Sequence, residues 1–291
     1  MTGERMGASG MAGRSGSAVT ARGHQPDAVR AIMRQARNNA AQEAAAKTRH
    51  LNMWVGADEA LFSLRSWQEA ADTSLSLDDF EGQECHLGLD LASRTDLAAM
   101  ALVFPQREPD TGRSLYKVFA RCYLNEAAVT EARNPSYPGW AANGSLVVTP
   151  GNETDFDVIE TDIRELSSRF QVVSVGYDPW QSAQMSQRLR SDGLPMFEFR
   201  ATTQNFSPAI IEMDAAMRAG RLRHDGNPML EWCVGNVVGK ADRRGNLYPT
   251  KTRPDQKIDA AVALMIAIGR AMTDDENARN FGSFLTDLIS I

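Results

Sequence analysis

Asp90 stands inside an otherwise apolar segment, Cys85 to Leu91 (CHLGLDL). A carboxylate in a buried strand is strongly unfavourable unless something cationic compensates it. Two further aspartates share this situation: Asp178 follows the apolar stretch VVSVGY, and Asp259 opens the apolar run KIDAAVALMIAIG. The successive separations are 88 and 81 residues, so none of the three is a local salt-bridge device. A fold that accommodates all three must bring them together through its sheet topology, and the compensating group that suits three carboxylates is a divalent metal ion.

The rest of the chain can support such a fold. With 291 residues and 43% hydrophobic content it can bury a full core, and one domain plus an appendage is the expectation. Its longest apolar run, Ala260 to Gly269, is about half of what a membrane-spanning helix needs, and the Gly/Ser-rich start has no signal-peptide core. Cys85, Cys122 and Cys233 are widely spaced and include no Cys-x-x-Cys pair, which excludes a disulfide framework or zinc knuckle and fits a reduced cytosol. The net charge is -6, and residues 1 to 50 carry eight Arg/Lys against three Asp/Glu. An acidic body does not hold nucleic acid by charge alone, although metal ions can bring it to phosphates. The basic start reads as a solvated tail.

Residues 1–24 are Gly-, Ser-, Ala- and Arg-rich without periodicity and are expected to be disordered. Residues 25–80 read as a helical linker segment, a main domain follows over 81–275, and 276–291 form a C-terminal tail. Within the main domain, strands are predicted at Cys85 to Ala92, Leu97 to Phe104 and Leu115 to Leu124, joined by short polar turns and hence antiparallel. Phe156, Ile159, Ile163, Leu166 and Phe170 recur at helical spacing. Val172 to Tyr177 is a buried strand, Ser182 to Arg190 a helix, Met196 to Arg200 a short strand, and Pro208 to Arg218 a helix closed by Gly220. A hairpin turns at Arg244 and Gly245 before a last helix from Ile258 to Met272. The order β-β-β-α-β-α-β-α resembles a ribonuclease H-like α/β fold, a mixed sheet flanked by helices, here with a helical and disordered N-terminal extension. In that layout the first and fourth strands are neighbours, so their acids can meet.

The chemistry that such a cluster supports is two-metal phosphodiester hydrolysis. Two hard cations about 3.5 to 4 Å apart activate a water and stabilise the leaving oxygen, and Asp suits magnesium or manganese. Beside the first acid, Ser93 to Asp96 form a polar loop in which Asp96 is a candidate further ligand and Arg94 a candidate phosphate contact; a turn with a capping Asp explains the same residues.

LGLDLASRTDLAAMALVF, VGYDPWQSAQM and KTRPDQKIDAAVALMIAIGRA together resemble the signatures of the nuclease domain of tailed-phage terminase large subunits, and AAQEAAAKTRHLNMWVGADEALFSLRSW resembles the segment joining packaging ATPase to nuclease in that family. The resemblance spans roughly residues 45–275. It implies that Asp90, Asp178 and Asp259 are catalytic metal ligands for two Mg2+ or Mn2+ ions. It implies double-stranded DNA as substrate, cut from concatemers during genome packaging. The implied partners are a portal protein, a terminase small subunit and an ATPase motor domain on another chain, all in the host cell cytoplasm. The family normally begins with an ATPase domain, and the nearest string here, GNVVGKA at Gly235 to Ala241, has the wrong glycine spacing and no Ser/Thr after Lys240. ATPase activity is therefore not expected of this chain, which the resemblance equates with the nuclease part of a split or truncated gene or a fragment.

Other residues have two readings each. Asp255 is a further candidate ligand, although Pro254 favours a loop. Lys251 and Lys257 flank the third acid as candidate DNA contacts or as solvated lysines. Trp180 is assigned to packing under the sheet edge in preference to stacking on a base. His86 is a satisfied structural histidine, and Asp155 and Asp157 cap a helix. Three functions compete with the terminase reading: an actin-like phosphotransferase, which lacks the phosphate-loop glycines; a non-catalytic packaging adaptor remnant; and another ribonuclease H-like nuclease, resolvase or transposase, against which YDPW and KIDAAVA weigh.

Overall fold

The computed structural model describes residues 60–91, 95–131 and 134–289, with side chains through Asp275 except Gln181. The tail over 1–24, most of the linker over 25–80, and Arg94 lie outside these residues. The first described element is α1 (Leu64–Glu69), capped by Ser63, whose hydroxyl accepts from Ser66 N. Here the structure departs from the linker reading: Phe62, Trp67 and Phe80 are fully or nearly buried in the core. Trp67 stacks on His224 with ring centroids 4.0 Å apart, and its carbonyl bonds the His224 ring. Large aromatic surface needs a partner, and the main domain supplies one.

Strands β1 (Glu84–Leu91), β2 (Ala98–Arg107) and β3 (Ser114–Asn125) form the expected antiparallel meander. Short helices α2 (Glu126–Thr130) and α3 (Tyr137–Ala142) then lead to β4 (Val147–Thr149) and α4 (Phe156–Arg169). Asp155 caps α4 by accepting from Asp157 N at 2.9 Å, as its position before the apolar periodicity indicated. After α4, β5 (Gln171–Tyr177) joins β1 in parallel; α5 (Pro179–Ser191) returns the chain to β6 (Met196–Glu198), parallel to β5.

Helix α6 (Thr203–Arg218) starts five residues before the expected Pro208, because Thr202 caps it by accepting from Asn205 N at 3.2 Å. Pro208 sits inside the helix. Strand β7 (Leu222–His224) and β4 pair in parallel with opposite ends of β3, a feature that three-residue segments carry too little periodicity to announce. After α7 (Pro228–Gly235), β8 (Val238–Ala241) and β9 (Leu247–Thr250) make the hairpin, with Gly245 at φ +83° in its turn. The last helix, α8, runs from Asp259 to Ile289, well past the expected end at Met272.

Among the described residues the main sheet has the order β4-β3-β2-β1-β5-β6, with β7 also on β3. This is the mixed sheet flanked by helices that the ribonuclease H-like reading anticipated. Alternation along β1 and β2 divides the core. Leu87, Leu89, Met100, Leu102 and Phe104 pack under α4 and α5, while Ala99, Ala101 and Val103 face α8 with α6 and α7 beyond it. No helix of the described residues is long and apolar enough to cross a membrane, and all three cysteines are free and buried.

Candidate active site

β1 and β5 pair with Leu89 opposite Tyr177, and the next residue on each chain is Asp90 and Asp178. The two aspartates therefore leave neighbouring parallel strands side by side at the sheet's C-terminal edge. Asp90 alternates with Leu89 and Leu91, which belong to the α4 side of the core, so it shares the α8 face with Gly88. Gly88 and Gly176 are adjacent in register, and neither has room for a side chain. A Cβ on Gly88 would overlap the Ala263 carbonyl oxygen and lie 2.6 Å from Ala267 N; one on Gly176 would lie 2.6 Å from the Ile266 side chain. Helix α8 thus rests directly on the strand backbones. Two residues of strand advance about 6.6 Å and four residues of helix about 6 Å, which carries Asp259, one turn before Ala263, over Asp90.

Each acid is held by its own local chemistry. Asp178 is the N-cap of α5: its Oδ1 accepts from Trp180 N at 3.0 Å, with Pro179 preset for the first helical position. Asp259, 8% exposed, occupies the first turn of α8, where the helix dipole favours negative charge. Asp96 receives Leu97 N at 2.8 Å and forms an ion pair with Lys257. Asn236 fixes that lysine's backbone by donating to its carbonyl at 3.0 Å.

Electrostatics show that the acids act on one another. Asp90 keeps some surface at the sheet edge, yet burial of its carboxyl, followed by the charges of Asp259, Asp178 and Asp96, pushes its pKa well above the usual carboxylate range; Lys251 opposes the shift. Asp259 is pushed up to about 6 by burial and by Asp96, against its own backbone N–H and Lys257 and Lys251. Two lysines do not neutralise four carboxylates. Ala99 separates Asp90 from Cys122 across the sheet. Burial and the Asp259 charge raise the Cys122 thiol, so the floor of the site is apolar and of low dielectric.

Asp255 is set apart: it lies in an exposed turn and pairs with Arg253 at 3.4 Å. Lys251 and Lys257 both lie within electrostatic reach of the acids. His86 is structural as expected, bonding Ser174 Oγ at 2.8 Å. Trp180 is corrected: it is 87% exposed instead of packed under the sheet. Sequence reasoning missed Tyr248 on β9, whose hydroxyl is raised by burial and then by Asp178 and Asp90. It also missed Tyr137, raised by burial and then by Cys233, Asp96 and Asp259. Neither belongs to a periodic pattern that would have tied it to the acids.

Among the described residues, no three His, Cys, Asp or Glu side chains already close tightly enough to hold a metal ion. The donor set nevertheless fits a hard divalent cation in chemistry and charge: the donors are carboxylate oxygens, and Asp90 and Asp259 resist ionisation without further positive charge.

Such a sheet, with acids from the first strand, its parallel neighbour and the covering helix at one edge, is ribonuclease H-like. The family described as "Terminase large subunit, endonuclease domain" matches residues 21–275, and the chain belongs to it. The chain is 37% identical to Protein YmfN of Escherichia coli (strain K12) over 250 residues, covering 82% of this chain and 54% of that protein. It is 26% identical to the terminase large subunit of Enterobacteria phage HK97 over 242 residues, covering 81% and 46%. The crystal structure of the HK97 bacteriophage large terminase superposes with a TM-score of 0.64 at 26% identity, covering 78% of this chain and 47% of that one. The chain thus spans about half the length of these curated relatives.

Proposed function

We propose that this chain is a divalent-metal-dependent endodeoxyribonuclease that cuts concatemeric viral DNA during genome packaging, with Asp90, Asp178 and Asp259 as the metal-binding catalytic residues. The observation that carries the reading is the convergence of these three residues, from positions 88 and 81 apart in sequence, on one sheet edge. When bound there, Mg2+ or Mn2+ ions would supply an activated water and charge stabilisation at the leaving oxygen.

The chain's own groups do the rest. Asp178 is oriented by its cap to α5, and Asp259 is delivered by the close approach of α8 over Gly88. Lys257 holds Asp96 toward the cluster, so Asp96 is a supporting ligand or a hydrogen-bond acceptor beside it. Lys251 offsets the acids, and a phosphate brought to them would meet its charge. The buried floor beneath Ala99 excludes water from one side of the site. Double-stranded DNA is the proposed substrate. Portal protein, small subunit and a packaging motor domain are the proposed partners, in the host cell cytoplasm.

Supercoiled-plasmid cleavage by the purified chain in Mn2+, Mg2+ or EDTA, alongside Asp178→Ala, tests this. Metal-dependent nicking that the variant loses supports the assignment. A folded wild-type protein that cleaves in no metal overturns it and leaves the adaptor reading.

A further inference from the structure

Trp180 is the anomaly of the described surface. Its indole is 87% exposed, more than that of any other exposed large apolar residue. Yet its backbone is tied: Trp180 N donates to the Asp178 carboxylate, so the indole is rooted two residues from that acid, at the rim of the cluster. Beside it lies a cavity of about 440 Å³ between the N-terminal end of α4 and one side of α5, lined by Trp180, Phe156, Gln184, Asp155, Asp157 and Arg188 among others. Trp180, Gln184 and Arg188 follow at four-residue steps along one face of α5.

The chemistry of this cavity rejects a phosphate. Asp155 and Asp157 place acids on its wall, and Arg188, the cation present, is engaged by Glu160 at 2.9 Å and by Asp157 at 3.4 Å. What remains is an aromatic face, a side-chain amide and carboxylate acceptors. Together they suit a nucleobase, whose ring stacks and whose amino or imino hydrogens donate. The volume accommodates one base. Resting on the nuclease reading above, we propose that Trp180 and this cavity hold an unpaired base of the substrate strand next to the scissile phosphate, and so position that strand on the acids. Trp180 is on this account a positioning residue, not a catalytic one.

Binding is read in EDTA, where no cleavage occurs, by fluorescence anisotropy of a labelled single-stranded oligonucleotide and of the blunt duplex of the same sequence. Wild type is compared with Trp180→Ala and Trp180→Phe. The expected result is a roughly tenfold loss of single-strand affinity in Trp180→Ala, a smaller loss for duplex, and substantial recovery in Trp180→Phe. The melting temperature should stay unchanged, because the indole lies outside the core. A 2-aminopurine in the strand should be quenched by wild type and not by Trp180→Ala. Unchanged affinity in Trp180→Ala, equal losses for both nucleic acids, or no binding by wild type would overturn the inference. Plasmid cleavage separates this outcome from failure of the underlying reading. A wild type that cleaves beside an unaffected Trp180→Ala defeats the base site alone, and a wild type that binds strands through Trp180 but never cleaves defeats the nuclease.

Discussion

The two faces of the central sheet are built to opposite rules. Under α4 and α5 the strands present Leu87, Leu89, Met100 and Phe104, large side chains that fill space and hold the helices at ordinary packing distance. Under α8 they present Gly88, Ala99, Ala101 and Gly176, and the helix comes down onto the backbone. Size on one side stabilises; absence of size on the other brings Asp259 to Asp90. The site is therefore a product of close approach at the cost of a buried cluster of like charges, a local loss of stability of the kind that functional sites carry.

The largest effect expected from breaking this contrast is at the acids. Asp90→Asn should abolish metal-dependent nicking and yet raise the melting temperature of the metal-free protein, because it removes the carboxyl that burial and three neighbouring acids oppose. Plasmid assays with calorimetry on one preparation check both halves, and a melting temperature that falls would contradict the electrostatic account. On the opposite face, Leu89→Ala should lower stability by about 2–5 kcal/mol through the cavity it leaves, with cleavage per folded molecule retained. Denaturant titration measures the first quantity and active-fraction-corrected nicking the second.

Gly88→Ala sharpens the comparison, since it adds one methyl group where the Ala263 carbonyl already sits. A loss of about 1–3 kcal/mol is expected from overpacking, together with reduced cleavage as α8 is lifted from the sheet. Full activity in this variant would show that close approach is not what places Asp259.

The smallest effect near neutral pH is a pH dependence midway along α8. His86 is held down to about 4, mainly by burial and secondarily by Arg270, against the pull of Asp274 at 3.4 Å. Burial prevails, so the imidazole is neutral at pH 7 and the Asp274 contact is not then an ion pair. A histidine with a depressed folded pKa contributes stability that is complete above its unfolded value of 6.5 and is lost as the pH falls toward 4. The total is at most about 3 kcal/mol. Asp90 and Asp259 act with opposite sign over an overlapping range. The measurement is therefore the stability difference between wild type and His86→Gln from neutral pH downward, which should shrink with acidification.

Much of this was legible from periodicity. The apolar segment around Asp90, the strand before Asp178 and the helix after Asp259 announced themselves because buried carboxylates in apolar runs violate the pattern that the rest of the run obeys. Asp178-Pro179 also reads locally as a helix start, and the structure makes it the N-cap of α5. Strands β4 and β7 were not legible, since three residues cannot show a period and both are held by the edge of β3, β7 also by backbone bonds to Ala70 and Asp72. Trp67 was read as part of a linker because nothing local reveals that its partner is His224, 157 positions away. Trp180 was read as packed because aromatic residues near a sheet usually are; its exposure depends on where α4 begins relative to α5.

The sequence by itself determined which residues are the candidates for the chemistry, because the incompatibility of a carboxylate with an apolar strand is a property of the segment alone. It also determined the order of the longer elements, from the β1–β3 meander through α4, β5 and α5 to α8. Tertiary structure alone decided the rest: that Gly88 and Gly176 stand under α8, that Lys257 engages Asp96 while Asp255 turns away to Arg253, and that Tyr248 joins the site from a separate hairpin. These facts depend on distances between segments far apart in the chain, and such distances are fixed by how closely two surfaces pack.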